Sequence, residues 1–210
     1  MAAARTTTSS ELLLFAAAVV VLAAHAGAED LVSQACTNAT RHFCRLQLSK
    51  DSCASALRSD ERSAAARDLR DLALVAVDLV GASAAAADAA VSAAAAKGGD
   101  AGTERSLQYC RVDYDDMART VPECHRLVSR YDATVVAADG GWPSAQYYFG
   151  CVDRLRDAAV GCWDQVRNWA ELKKAVGKEV RDVVQRANVA KLIQEQMLGM
   201  ENPFEPPQHD

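Results

Sequence analysis

Seven cysteines carry the clearest chemistry in this chain: Cys36, Cys44, Cys53, Cys110, Cys124, Cys151 and Cys162. In an oxidising compartment that chemistry is disulfide formation. An odd count leaves one thiol free or joined to a second molecule, so a covalent dimer is one outcome to expect. Metal binding is the rival, and the spacing speaks against it. No CxxC occurs, and His42, His125 and His209 are scattered along the chain. Catalysis finds no support either. His125 directly follows Cys124, which sets the two side chains about 100° apart on a helix, too far apart for a base to serve its nucleophile. There is no GxSxG, HExxH or glycine-rich phosphate loop. The paired carboxylates Asp115-Asp116 fall on a helix face that reads as solvated. The expectation is a protein that is not an enzyme and holds neither cofactor nor metal.

The first residues decide which compartment applies. Arg5 precedes an apolar run over residues 12–24, and Ala26-Gly27-Ala28 offers an A-x-A cleavage site before Glu29 and Asp30. The run is shorter than the roughly 20 residues needed to cross a bilayer core. Residues 1–28 therefore read as a secretory signal, and no second apolar run of membrane length is expected after it. Secretion makes disulfides the default and makes the sequon Asn38-Ala39-Thr40 a glycan acceptor. Loss of Arg5 and Glu11 leaves the net charge at −5. A mildly acidic chain without clustered Lys/Arg and interleaved aromatics is a poor match for nucleic acid.

The elements that must position the cysteines are helices. From residue 63 on, the chain is helix-forming with breaks at residues 97–102 and 139–144, both rich in glycine. No period-2 alternation supports a sheet. The first stretch, about 63 to 97, places Leu69, Leu72, Ala76, Leu79 and Val80 on one face before an alanine-rich run. Alanine is the strongest helix former and allows neighbouring helices to approach closely. The second carries a stripe spaced by three and four, Leu107, Cys110, Tyr114, Met117, Val121, Cys124, Val128, Tyr131 and Val135. Pro122 is expected to kink this helix without ending it. A third carries Tyr147, Cys151, Leu155, Ala158, Cys162, Val166 and Trp169. A fourth carries Leu172, Val176, Val180, Val183, Ala187, Ala190, Ile193 and Met197 opposite a polar face with Lys173, Lys174, Lys178, Arg181 and Asp182.

Four long helices with short connections predict an all-α, up-and-down four-helix bundle stapled by disulfides. Antiparallel neighbours bring together residues whose numbers have a nearly constant sum. Cys110 with Cys162 and Cys124 with Cys151 meet that condition to within about one turn, roughly 4.5 Å. The swapped pairs would need parallel helices, which a short loop forbids. Among Cys36, Cys44 and Cys53 one bridge would tie a small hairpin, and which thiol is left over stays open.

These residues resemble the plant invertase and pectin methylesterase inhibitor family over essentially the whole mature chain. Val32-Ser33-Gln34-Ala35-Cys36-Thr37-Asn38-Ala39-Thr40 is similar to the family's opening, a cysteine followed closely by threonine. Cys53-Ala54-Ser55-Ala56-Leu57-Arg58-Ser59-Asp60-Glu61-Arg62-Ser63 is similar to its most recognisable stretch. Leu72-Ala73-Leu74 and Val77-Asp78 resemble the first bundle helix, and Cys110 with Cys162 and Asp164 match the second cysteine pair. The resemblance implies a short N-terminal helical hairpin before the bundle. The expected organisation is a signal at 1–28, hairpin at 29–62, bundle at 63–200 and a flexible tail at 201–210. Two departures stand out. The family's usual eight-residue cysteine spacing is kept by Cys44 and Cys53, whereas the flanking motif surrounds Cys36. Cys124 and Cys151 are additional to the common pattern.

The resemblance implies an inhibitor of one of two enzymes, a pectin methylesterase or an acid invertase. Invertase inhibitors of the family present Pro-Lys-Phe between the second and third bundle helices. Here that loop reads Gly140-Gly141-Trp142-Pro143-Ser144, with proline alone retained. The esterase is the favoured partner, with Trp142, Pro143 and Tyr147 as candidate contacts because aromatic residues anchor interfaces. A structural or ligand-carrying bundle is the alternative from another class.

Overall fold

The structure, a computed structural model, describes residues 31–39, 48–138 and 142–200; the side chains of 136–138, 142–146 and 149 lie outside that description. Every regular element among the described residues is helical. A helix over residues 31–39 (α1) is followed by α2 (Lys50–Arg58), a 3-10 turn (Glu61–Ala65), α3 (Leu69–Ala95), α4 (Ala101–Ser129), a short α5 (Ala133–Ala138), α6 (Trp142–Val166) and α7 (Ala170–Met197).

Local chemistry sets the helix starts. Ser49 and Ser52 form a reciprocal capping box at α2. Asp68 Oδ1 accepts from the Asp71 N–H at 2.9 Å at the start of α3. Asp100 Oδ1 accepts from the Thr103 N–H at 2.7 Å at the start of α4. The turn between α3 and α4 requires Gly98, whose φ of 74° disfavours any side chain. The alanine-rich run remains helical to Ala95 and buries Ala84, Ala87 and Val91.

The four long helices form a ring. α3 packs on α4 and α7, and α6 packs on α4 and α7, with α3 and α6 across the diagonal. The arrangement is an up-and-down bundle. Its core holds Leu72 and Val80 from α3, Leu107 and Met117 from α4, Leu155 from α6 and Val183 and Ile193 from α7, all at 2% exposure or less. α4 runs unbroken through Pro122. The proline lacks only one N–H of a long, well-buried helix, and packing outweighs that loss.

The second stripe is shorter than its sequence period suggests. α4 ends at Ser129, and Asp132 then caps α5 by accepting from the Thr134 N–H at 2.8 Å, which draws the chain out of helix. Val135 is consequently exposed, and Tyr131 is half-buried with its hydroxyl donating to the Met197 carbonyl at 3.1 Å. α6 likewise stops at Val166, so Trp169 is the N-cap residue of α7 and 45% exposed, not a core residue. Residues 61–65 form a 3-10 turn where the long first helix was expected to begin. A further expectation needs correcting. α3 is long and apolar enough to cross a membrane, because alanine counts as apolar. Here its apolar face is the bundle core, covered by α4 and α7.

Candidate interaction surface

Among the described residues three disulfides fasten this scaffold. Cys110–Cys162 and Cys124–Cys151 both join α4 to α6, with Cα–Cα distances of 4.5 and 5.4 Å. Cys36–Cys53 joins α1 to α2 with a Cα–Cα distance of 5.7 Å. The pair that keeps the eight-residue spacing, Cys44 and Cys53, is not the one bonded. Cys44 itself lies outside the described residues. The signal that selects Cys36 is helical: Val32, Ala35, Cys36 and Ala39 are all buried on one face of α1.

The Ser59–Ser63 stretch acts as a clamp between hairpin and bundle. Ser63 Oγ donates to the Leu57 carbonyl at 2.6 Å from a buried position. Arg62 pairs with Asp60 at 2.6 Å and reaches Asp78 of α3 at 2.7 Å. These contacts raise the Arg62 pKa and hold the Asp60 carboxyl below its usual range. His125 Nε2 lies 3.9 Å from the same Asp78, and Arg186 of α7 donates to Ser59 Oγ at 3.2 Å. The role of this motif is positional.

Of the candidate contacts, Trp142 and Pro143 lie in the first turn of α6 by backbone, and their side chains fall outside the described residues. Tyr147 is 64% exposed, stacked edge-on against Tyr148 with ring centroids 6.1 Å apart. Tyr148 is half-buried and meets Tyr131 edge-on at 5.4 Å. Asn38 is exposed on α1. Among the described residues no group of three His, Cys, Asp or Glu side chains is arranged to hold a metal.

Two features escaped the sequence. Lys191 of α7 reaches Asp153 of α6 at 2.6 Å and Glu195 at 3.3 Å, forming a charged seam between the helices. Asp113 lies against Gly161, where an added Cβ would sit 3.0 Å from its Oδ2. Burial, and secondarily Asp116, push the Asp113 carboxyl up to about 6. Burial also pushes the Tyr114 phenol up, and its hydroxyl has no hydrogen-bond partner among the described residues. The signal was Gly161 itself, one residue before Cys162 and hence level with Cys110.

Asp113 has a consequence for stability. A carboxyl with a raised folded pKa binds its proton more tightly when folded, so its contribution to stability declines as pH rises from the unfolded value of 3.8 to about 6. Asp60 and Asp71, held low by Arg62 and Arg67, lose their contributions only as pH falls below 3.8. Taken together, these groups are expected to favour stability most in mild acid. Asp113→Asn is expected to stabilise at pH 7 by on the order of 1 kcal/mol, a value discounted for partial exposure. It should also flatten the stability profile between pH 4 and 7. Urea unfolding across that range checks both, and an unchanged slope would contradict the assignment.

Tight helix contacts, two cross-links between one helix pair and a clamped hairpin define a small disulfide-tied helical bundle. The plant invertase/pectin methylesterase inhibitor family model matches residues 30–194, and the chain belongs to that family. The crystal structure of a mutant form of a pectin methylesterase inhibitor from Arabidopsis is similar, with a TM-score of 0.55 and 18% identity over 70% of this chain and 88% of that one. At that identity the likeness speaks for the fold. No curated protein matches the chain.

Proposed function

We propose that this chain is a secreted inhibitor that binds and blocks a plant pectin methylesterase, and is not itself an enzyme. The observation that carries the choice of target is the sequence that leads into the first turn of α6. Gly140-Gly141-Trp142-Pro143-Ser144 lacks the lysine and phenylalanine of the invertase-binding tripeptide. What remains is an inhibitor that works through extended helix faces, and a cleft that accommodates a polymer suits such a rigid, elongated partner. Pro143 is the one remnant of the invertase pattern and keeps acid invertase as the second reading. Trp142, Pro143 and Tyr147 are proposed contacts, clustered at the start of α6. The leader at 1–28 and the disulfides support an extracellular location, and Asn38 is proposed as its glycan acceptor.

Size-exclusion chromatography of the oxidised mature chain with a pectin methylesterase and, in parallel, an acid invertase tests the choice. A one-to-one complex with the esterase alone is the expected result. A complex with the invertase alone would overturn the assignment and show that Pro143 suffices in the loop.

A further inference from the structure

The chain carries a net charge of −5, yet one wall of the bundle is positive. An open groove of about 710 Å³ runs between α3 and α7, with Ser83, Ala86 and Gly177 among its small lining residues and Lys173, Lys178 and Arg181 among its cations. Those three cations are exposed, and none makes an ion pair with a carboxylate among the described residues. Of the acids that line the groove among the described residues, Asp182 is held by Arg186 at 2.8 Å, which leaves Glu179 as the other carboxylate there. An uncompensated cluster of this kind attracts anions, and a groove strengthens the attraction by focusing the field.

The groove continues past Arg181. The guanidinium lies 5.1 Å above the Trp163 ring and is thereby oriented. On its far side a second depression of about 520 Å³ is lined by neutral hydrogen-bonding residues, Gln185 together with Ser52, which also caps α2, and the buried Asn188, which also accepts from Arg156. From Lys173 to Asn188 the path extends about 22 Å along α7 at 1.5 Å per residue. Cations followed by neutral amides and hydroxyls match a chain that carries both carboxylates and hydroxyls. An inorganic phosphate chain offers acceptors but no hydroxyl donors to the second half of that surface.

We propose that the α3–α7 groove binds a carboxylate-bearing polysaccharide, the chemical class of de-esterified pectin. The identity of the polymer rests on the function proposed above, because hydrolysis of a methyl ester leaves the carboxylate on the polymer. An inhibitor with this site would be retained where its target has already acted.

Calorimetric titration of the oxidised mature chain with a de-esterified oligogalacturonate tests the site, against a fully methyl-esterified oligomer of equal length and inorganic polyphosphate. The de-esterified oligomer is expected to bind, with affinity that falls as salt is added. The methylated oligomer and the variants Lys173→Glu/Lys178→Glu and Lys178→Glu/Arg181→Glu should each bind about tenfold more weakly or less. Unchanged circular dichroism checks that the variants fold, and the first pair leaves the Trp163 contact intact. Equal binding of both oligomers, equal or tighter binding of polyphosphate, wild-type affinity in the variants or no binding at all would overturn the proposal. Esterase inhibition by the same samples separates the two readings. Inhibition without oligomer binding would sink only the groove, and binding without inhibition would sink only the proposed target.

Discussion

Replacing Cys110 and Cys162 together with alanine is expected to cost about 4 kcal/mol of stability, the largest single effect in the molecule. The bridge closes a 52-residue separation, longer than the 27 of Cys124–Cys151 and the 17 of Cys36–Cys53, so its removal frees the most unfolded-state entropy. Both sulfurs are fully buried, and truncation adds a small cavity. For a chain of this size the melting temperature should fall by about 8–16 °C. Urea unfolding of the double variant and of Cys36→Ala/Cys53→Ala, side by side, gives the comparison. A larger loss from the hairpin pair would mean that the hairpin, not the α4–α6 seam, limits stability.

Leu155→Ala should cost about 3 kcal/mol. Leu155 has no exposure, and its helix is pinned to α4 through Cys151 one turn before it and Cys162 two turns after it. Helices fixed on both sides of a cavity cannot close on it fully, which keeps the loss within the usual range for buried leucine truncations. Tyr147→Ala, two turns earlier on the same helix and 64% exposed, is the control and should change stability by less than about 0.5 kcal/mol. Denaturant melts of the two variants settle the contrast. A Leu155→Ala loss below about 1 kcal/mol would show that α6 relaxes into the space, against the pinned-helix account.

Much of the bundle is legible in the sequence because helical burial repeats every three or four residues. The run Leu107, Cys110, Tyr114, Met117, Cys124 and Val128 is buried throughout. Val121 in the same run is half-buried and lies against Gly81. Period alone does not mark where a helix stops. Tyr131 and Val135 keep the spacing, yet Asp132 finds a better partner in the Thr134 N–H than in continued helix. Trp169 keeps it too, but serves as the first residue outside α7. The hairpin bridge was open because three cysteines within a short segment allow every pairing; burial of one face of α1 distinguishes Cys36. Asp113 was missed because its environment depends on Gly161, 48 positions away, and only the level shared by Cys110 and Cys162 hints that the two meet.

The central claim is that this bundle blocks a pectin methylesterase, and an activity titration tests it most directly. Esterase at fixed concentration, with increasing oxidised mature chain, should lose activity linearly and reach its minimum near one inhibitor per enzyme. Full esterase activity at a large excess of a folded, helical inhibitor, over several esterases, would contradict the account.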